Sequence, residues 1–329
     1  MAYFYLVWWD CDGYSETVTL GPYGAAPPPA PVGTLPAMGS TAYDVPISGA
    51  FWGDGISYIG IIRGTYWILA QSNSNPNGGY VTIQFGAPGD IPIIGKWWGG
   101  STAYIGVFRP SSNQWILAQS NTNPGANAVA VQFGANGDQP VVGDWNNSGS
   151  DYIGIYRPSV QTWVLALSNT NPNSSTQQSQ FGAVGDIPVV GRWWGGPSLI
   201  GIFRPGSNYW VLAQQNNNAN ANAVAIQFGA TGDVPIVGDW TGNGKTLIGI
   251  RRSDTQFILA QDNSNANGTA FAAVYGASGD QLVLGKWQSA AGADFLGLVR
   301  NHSYWFLANS NTSPGGGAIN VPFGCSQPC

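Results

Sequence analysis

The feature that most constrains the fold is one sequence motif written six times in a row. Its marker residue recurs every 46 to 48 residues, at Asp44, Asp90, Asp138, Asp186, Asp233 and Asp280. The consensus reads D-x-P-[IV]-x-G-x-W, then [IL]-G-[IL]-x-R, then W-[IV]-L-A, then an Asn-rich stretch, then F-G-A-x-G before the next Asp. A period of this length is typical of arrays in which each repeat is one supersecondary unit that must pack on its neighbours.

Each copy contains four short apolar runs bounded by Gly, Asn or Pro, which predict four β-strands. No segment has a helical period of adequate length. A single four-stranded sheet cannot bury both of its faces, whereas a closed ring of such sheets covers the faces and protects the edges. We therefore predict an all-β fold, a β-propeller of six four-stranded blades over residues 44–324.

The two ends of the chain are predicted separately. Residues 3–9 and 16–24 resemble the last two strands of a further copy, and the Pro-rich segment 25–36 reads as a linker. Three arrangements stay open: an incomplete seventh blade, a hairpin clasp across a six-bladed ring, which we favour, or a hairpin donated to a neighbouring molecule. Domain bounds are thus 1–43 for hairpin and linker, 44–324 for the propeller and 325–329 for a tail.

The three cysteines lie at these ends, so a disulfide that joins Cys11 to Cys325 or Cys329 is predicted, with three unpaired thiols as the alternative. Only 8% of residues are charged and Gly reaches 47. Together these features favour an extracellular protein, secreted or held at the cell surface.

Composition also excludes some partners. Lys and Arg together number 11 and the net charge is −5, which leaves no basic surface for nucleic acid. Every apolar run is shorter than the ~18 to 20 residues that span a bilayer, so we expect no membrane insertion.

Three sets of repeated residues are assigned structural roles. The turn Gly before each Asp is expected to have a positive φ, twelve aromatic residues in two registers are expected to pack between blades, and one Arg per copy is expected to pair with the Asp or with a backbone carbonyl. A binding role for this Arg ring is the alternative. The arginines are Arg63, Arg109, Arg157, Arg204, Arg252 and Arg300.

The string F-G-A-x-G-D-x-P-V-V-G-D-W, followed by I-G-[IV]-[FY]-R-P, resembles the FG-GAP/VCBS-type propeller repeats of bacterial surface proteins, integrin α-subunits and a mushroom lectin. The resemblance spans residues 44–324 and implies a propeller. In that family the loop after the first strand often reads D-x-D-G-D-G and holds Ca²⁺ through oxygen atoms. The best match here, with Asp144, Asn146 and Ser148, offers few carboxylates, so calcium is a weak expectation and no other cofactor is predicted.

The residue inventory argues against an enzyme. His302 is the only histidine and Glu16 the only glutamate, which excludes His-based triads and multi-His metal sites. A pair of catalytic carboxylates would have to be two aspartates, and most of these are turn residues. We expect no catalytic site.

Two sets of residues are candidates for ligand binding. Trp52, Trp98 and Trp194 follow the first-strand aromatic in three copies where the others have Asn146, Thr241 and Gln288, so the fold does not demand Trp there. Each indole offers a face on which a sugar ring can stack, although it could equally cover a blade edge. The Asn-rich loops form an uncharged rim, and sequons for glycosylation stand at Asn146, Asn173, Asn267, Asn301 and Asn311.

Two functions fit these features. The first is a lectin-like propeller that binds glycans or surface polysaccharide through several weak sites, where repetition supplies avidity. The second is a structural cell-surface or fibre-forming subunit that carries glycosylation sequons in its rim and self-assembles through the N-terminal hairpin.

Overall fold

The structure is a computed structural model that describes residues 35–36, 38–39, 44–290 and 292–324. Within these residues the chain forms 24 β-strands in six separate sheets of four. Helix in the described residues is limited to two 3₁₀ turns, Pro76–Gly78 and Asn263–Asn265, and one α-helical turn, Ala266–Thr269. The predicted all-β propeller of six four-stranded blades is confirmed. No helix in the described residues has both the length and the apolar character to cross a membrane.

The six blades follow one another along the chain, each with four strands. Blade 1 contains β1 (Val45–Gly49), β2 (Tyr58–Arg63), β3 (Tyr66–Ala70) and β4 (Tyr80–Gln84). Blade 2 contains β5 (Ile91–Gly95), β6 (Tyr104–Arg109), β7 (Gln114–Leu117) and β8 (Val129–Gln132). Blade 3 contains β9 (Gln139–Gly143), β10 (Tyr152–Arg157), β11 (Thr162–Ala166) and β12 (Thr176–Gln180).

The second half of the ring has the same composition. Blade 4 contains β13 (Ile187–Gly191), β14 (Leu199–Arg204), β15 (Tyr209–Leu212) and β16 (Val224–Gln227). Blade 5 contains β17 (Val234–Gly238), β18 (Leu247–Arg252), β19 (Gln256–Leu259) and β20 (Phe271–Val274). Blade 6 contains β21 (Gln281–Gly285), β22 (Phe295–Arg300), β23 (Tyr304–Leu307) and β24 (Ile319–Pro322).

Every blade is an antiparallel meander in which the four strands pair in chain order. The first strands lie innermost, since β1 contacts β21, β5 contacts β9, and β13 contacts both β9 and β17. Five of the six first strands carry proline at their second position, and this residue is tolerated there because the inner edge of the sheet needs no further donor. These prolines are Pro46, Pro92, Pro140, Pro188 and Pro235.

Six buried apolar clusters hold the described blades together, one at each interface between neighbours. Blade 6 packs on blade 1 through Trp287 and Trp305 against Ile59 and Ile61. The ring is therefore closed. The aromatic residues of the two predicted registers are all buried, which confirms their packing role.

Backbone hydrogen bonds join the blades in the same way around the ring. In each case the N–H just before the second strand donates to the carbonyl that follows the first strand of the preceding blade. At the closing interface Ser57 N–H donates to Lys286 O at 2.9 Å. The equivalent donors in blades 2 to 6 are Ala103, Asp151, Ser198, Thr246 and Asp294.

The predicted pairing of Asp and Arg is confirmed as an ion pair in all six blades. Arg157 donates from Nε and Nη2 to the two carboxylate oxygens of Asp138, both at 2.7 Å. Asp138 also accepts from the Ala135 N–H of its own turn. The Asp side chain is fully buried while the Arg is partly exposed, so the pair ties the turn between repeats to the blade. The turn glycines Gly89, Gly137, Gly185, Gly232 and Gly279 have the expected positive φ.

The predicted clasp and the disulfide lie outside the described residues, since Cys11, Cys325 and Cys329 are not among them. The described residues include 35–36, at the end of the predicted linker, and 38–39, which follow it. Met38 is 2% exposed in the cluster between blades 1 and 2. Its N–H donates to Asp90 O at 2.7 Å and its carbonyl accepts from Gly89 N–H at 2.9 Å, so the chain just after the linker is docked on the ring.

Candidate functional site

One face of the ring, which we call the upper face, is formed by the loops after the first strands and the loops after the third strands. A buried Asn at the base of each third-strand loop fixes this face. Asn121 Oδ1 accepts from Ile105 N–H at 3.1 Å, and Nδ2 donates to Ala103 O in its own blade and to Phe51 O in the preceding blade. We call these residues the Asn struts; they are Asn73, Asn121, Asn169, Asn216, Asn263 and Asn311.

The struts were not singled out by the sequence analysis, which treated the Asn-rich loops as one polar rim. The signal that identifies them is spacing, because each strut stands six residues after the third-strand aromatic in all six copies. Nearby asparagines in the same loops are exposed.

Trp52, Trp98 and Trp194 also lie on the upper face, each partly buried. Their indole N–H groups donate to the carbonyls that end the third strand of their own blade, those of Ala70, Ala118 and Ala213, at 2.7 to 3.0 Å. Each ring packs on the cluster between its blade and the next. This geometry fits the covering role, while sugar stacking on these three rings stays a prediction.

The equivalent place is open beside two smaller residues, Thr241 and Gln288. Between blades 5 and 6 lies a cleft of about 380 Å³ beside Thr241. Blade 5 contributes Trp240, Gln261 and Phe271, and blade 6 contributes Phe295 and the loop 309–312. We call it cleft 5–6.

A second cleft, of about 310 Å³, lies one interface further round, beside Gln288. Blade 6 contributes Trp287 and Ile319, and blade 1 contributes Ile56, Tyr58 and the loop 71–74. We call it cleft 6–1. Two successive interfaces thus carry the same constellation: a buried Trp, an apolar residue at the start of the fourth strand, an aromatic at the start of the second, and a four-residue polar loop.

The polar walls of the two clefts are uncharged. In cleft 5–6 the wall is Asn309, Ser310, Asn311 and Thr312, with Ser310 Oγ and Thr312 Oγ1 3.1 Å apart. In cleft 6–1 it is Gln71, Ser72, Asn73 and Ser74, with the two Ser hydroxyls 3.3 Å apart. None of the described residues that line either cleft is charged.

One charged group stands just outside cleft 6–1. The Tyr58 hydroxyl donates to Asp54 Oδ2 at 2.5 Å. Burial together with this hydrogen bond and the carboxylate charge raises the pKa of Tyr58 to about 12. The phenol is therefore neutral at physiological pH and its oxygen can still accept from a ligand hydroxyl.

The weak calcium candidate has its oxygen atoms engaged. Asp144 Oδ1 accepts from Ser148 N–H at 2.8 Å and Oδ2 from Gly149 N–H at 2.9 Å, and Arg192 of the next blade lies 3.9 Å from Oδ2. Asn146 is exposed. Both carboxylate oxygens thus already accept from backbone donors, and a guanidinium lies beside one of them, an environment that disfavours a cation.

The aspartates at unrepeated positions do not converge. Asp151 accepts from Lys96 N–H and Asp294 from Asp239 N–H at blade junctions, while Asp254 accepts from Ser278 and Gly279 at the opposite face. The described residues contain no group of three or more His, Cys, Asp and Glu placed to hold a metal.

The five sequons occupy different environments. Asn146, Asn173, Asn267 and Asn301 are exposed, and the last lies in the turn between β22 and β23 with a φ of 49°. Asn311 is 5% exposed and its amide forms the strut of blade 6, so the folded blade leaves no room for a glycan there. Use of the other four stays a prediction.

Comparisons with known proteins identify no family for this chain. No protein-family model matches this chain, and no curated protein sequence matches it. Among solved structures it is similar to one described as the crystal structure of BBS1N in complex with ARL6DN, soaked with lead. The two share 10% sequence identity over 85% of this chain and 84% of that chain, with a TM-score of 0.45. Membership of the FG-GAP/VCBS-type repeats stays a prediction.

Proposed function

We propose that this protein is a non-enzymatic carbohydrate-binding propeller whose sites are cleft 5–6 and cleft 6–1. The observation that carries the proposal is the repetition of one constellation at two successive interfaces, with an aromatic floor and an uncharged wall of amides and hydroxyls. Small-molecule sites combine apolar surface with a few converging polar groups in this way.

The chemistry of the walls favours a neutral sugar over other small molecules. Asn, Gln, Ser and Thr side chains both donate and accept, as sugar hydroxyls do. Phe271 and Phe295 in cleft 5–6, with Tyr58 and Ile319 in cleft 6–1, supply apolar surface for the C–H faces of the ring. The absence of lysine and arginine from the described lining disfavours phosphate and carboxylate ligands.

The clefts are open and shallow, so single-site affinity is expected to be weak and function to depend on avidity. Two sites on one rigid ring engage a surface that displays many copies of one glycan more strongly than either site alone. This requirement suits a secreted or cell-surface protein, and it agrees with the resemblance to propeller repeats that include a lectin.

A glycan array with neutral and acidic glycans tests the proposal, using the full chain. The test variant carries Ser310→Ala and Ser72→Ala, one in each cleft wall. The control carries Ser120→Ala and Ser168→Ala, in the loops that face Trp52 and Trp98. All four Ser hydroxyls accept from the backbone N–H three residues later. Ser120 also accepts from Thr122 N–H, so the control loses at least as many structural hydrogen bonds as the test variant.

We expect retention of the wild-type protein on neutral glycans, a loss of at least tenfold in the test variant, and no change in the control. No retention of the wild-type protein on any glycan would overturn the function. Equal losses in both variants would overturn the assignment to these two clefts.

A further inference from the structure

The position after each first-strand aromatic separates closed interfaces from open ones. We call residues 52, 98, 146, 194, 241 and 288 the cap positions. At three of them a Trp covers the interface, and at Thr241 and Gln288 a cleft is open. We infer that, at interfaces whose wall carries a pair of hydroxyls, the cap residue decides whether the interface binds sugar, and that latent sites lie beneath Trp52 and Trp98. This inference rests on the proposed function.

The wall that would line a latent site is already built. Beneath Trp52, the loop of blade 2 places Ser120 Oγ and Thr122 Oγ1 3.1 Å apart, the same distance as between Ser310 and Thr312 in cleft 5–6. The Asn121 strut matches Asn311 in its bonds to its own blade. Blade 3 repeats the arrangement beneath Trp98, with Ser168 and Thr170 3.3 Å apart.

The hydrogen bond made by each Trp cap indicates which backbone carbonyl a ligand would contact in an open cleft. Each indole donates its N–H to the carbonyl at the end of the third strand, as Trp98 does to Ala118 O at 2.8 Å. In the open blades the equivalent carbonyls belong to Ala260 and Ala308. An indole and a pyranose ring are compact groups of similar extent with an apolar face and a polar edge. A sugar hydroxyl in an open cleft would therefore donate to the carbonyl that the indole uses elsewhere.

The Trp cap is compatible with blade 5. The residue after Trp52, Trp98 and Trp194 is glycine, and Thr241 is also followed by a glycine, Gly242. The glutamine after the third-strand Ala is the same in blades 1 and 5, at Gln71 and Gln261. Thr241→Trp is thus expected to close cleft 5–6 without disturbing the blade.

Chemical-shift perturbation of backbone amides tests the inference, because it reports each interface separately. The probes are the methyl glycosides of glucose, galactose, mannose and N-acetylglucosamine, and the protein is the full chain. In the wild type we expect perturbed amides at 309–312 and 71–74 and unperturbed amides at 120–122. In Thr241→Trp the perturbation at 309–312 is lost while that at 71–74 stays.

The decisive arm is a gain of binding. Trp98→Thr should open the interface between blades 2 and 3 and produce new perturbation at residues 168–170, whereas Trp98→Phe, which keeps an apolar cover, should not. If Trp98→Thr fails to fold, Thr241→Trp and Gln288→Trp decide the matter, each by loss of one cleft's response.

The outcomes separate the inference from the function on which it rests. A wild type that responds to no glycoside overturns the proposed function. Suppose that the wild type responds at both clefts. The role of the cap alone is then overturned if Thr241→Trp still responds at 309–312, or if Trp98→Thr folds but shows no perturbation at 168–170.

Discussion

Gly324 lies against the carboxylate of Asp44, so Asp44, the first residue of the first repeat, completes the last turn of the sixth repeat. A Cβ on Gly324 would stand 3.1 Å from Asp44 Oδ2. The same relationship occurs inside the chain, where a Cβ on Gly134 would stand 3.2 Å from Asp138 Oδ2. The ring therefore closes at a repeat boundary, with the geometry that joins repeats elsewhere.

Gly324→Ala is expected to destabilise the closing turn. Gly324 has a φ of 117° and an added Cβ would lie 2.6 Å from His302 O, so alanine should cost about 2 kcal/mol of unfolding free energy. Denaturant titration measures the cost. The control Gly315→Ala has open space around its Cβ and a φ outside the left-handed region, so it should change stability little. Equal effects at both positions would contradict the closing role.

Asn121→Ala is expected to cost about 3 kcal/mol, because it leaves a buried N–H of Ile105 and two carbonyls without their partner. The control in the same loop is Asn123→Ala, an exposed residue, which should stay within about 0.5 kcal/mol of the wild type. Thermal and denaturant unfolding both report the difference. Equal stability of Asn121→Ala and Asn123→Ala would show that the strut does not stabilise the fold.

The fold could be read from the sequence because a repeat constrains every copy at once. The strand pattern, the buried aromatic residues and an Asp–Arg pair such as Asp138 with Arg157 recur six times. A copy whose sequence departs from the consensus can therefore be assigned by alignment with the other five. The Asn struts recur as regularly, but four of them also donate to a carbonyl of the preceding blade, and each strut is one Asn among several in an Asn-rich loop. A contact between copies is not visible in the pattern of a single copy.

The candidate site was harder to predict for a related reason. The extra Trp in three copies was compatible with sugar stacking and with cover of a blade edge, and the structure shows each indole N–H donating to a backbone carbonyl, which fits the covering role. The open clefts arise where a large residue is missing, at Thr241 and Gln288. A sequence motif shows which residues a copy contains. A cleft between two blades is formed by residues of both, so it can be seen only in the three-dimensional arrangement.

Thermal unfolding is expected to be the same in millimolar Ca²⁺ and in EDTA. Both carboxylate oxygens of Asp144 accept from loop N–H groups, and Asp239 makes the equivalent bonds to Asn243 and Gly244. These loops are therefore held without metal. A melting temperature that rises with Ca²⁺, and no longer does so in Asp144→Asn, would show that the loop binds the ion.

Asp151→Asn is expected to stabilise the ring at neutral pH. Burial raises the pKa of Asp151 above its ordinary value of 3.8, against the opposing effects of the Lys96 N–H and nearby cations. Between 3.8 and the raised pKa the folded state holds a proton that the unfolded state has lost, so stability falls as pH rises through this window. In the wild type, Lys96 N–H donates to the Asp151 carboxylate at 2.8 Å. Asn at this position removes the cost of the buried charge, and its Oδ1 can still accept this hydrogen bond.

The advantage of Asp151→Asn should therefore be largest at neutral pH and shrink as pH falls toward 3.8, which unfolding curves at a series of pH values measure. Asp262→Asn is the control of opposite sign. Hydrogen bonds from Ser264 lower the pKa of Asp262, so its contribution to stability is present above 3.8 and is lost as pH falls through the lowered pKa. If both variants lose stability at neutral pH, the carboxylate of Asp151 stabilises the junction through its charge, and the burial cost assigned to it does not dominate.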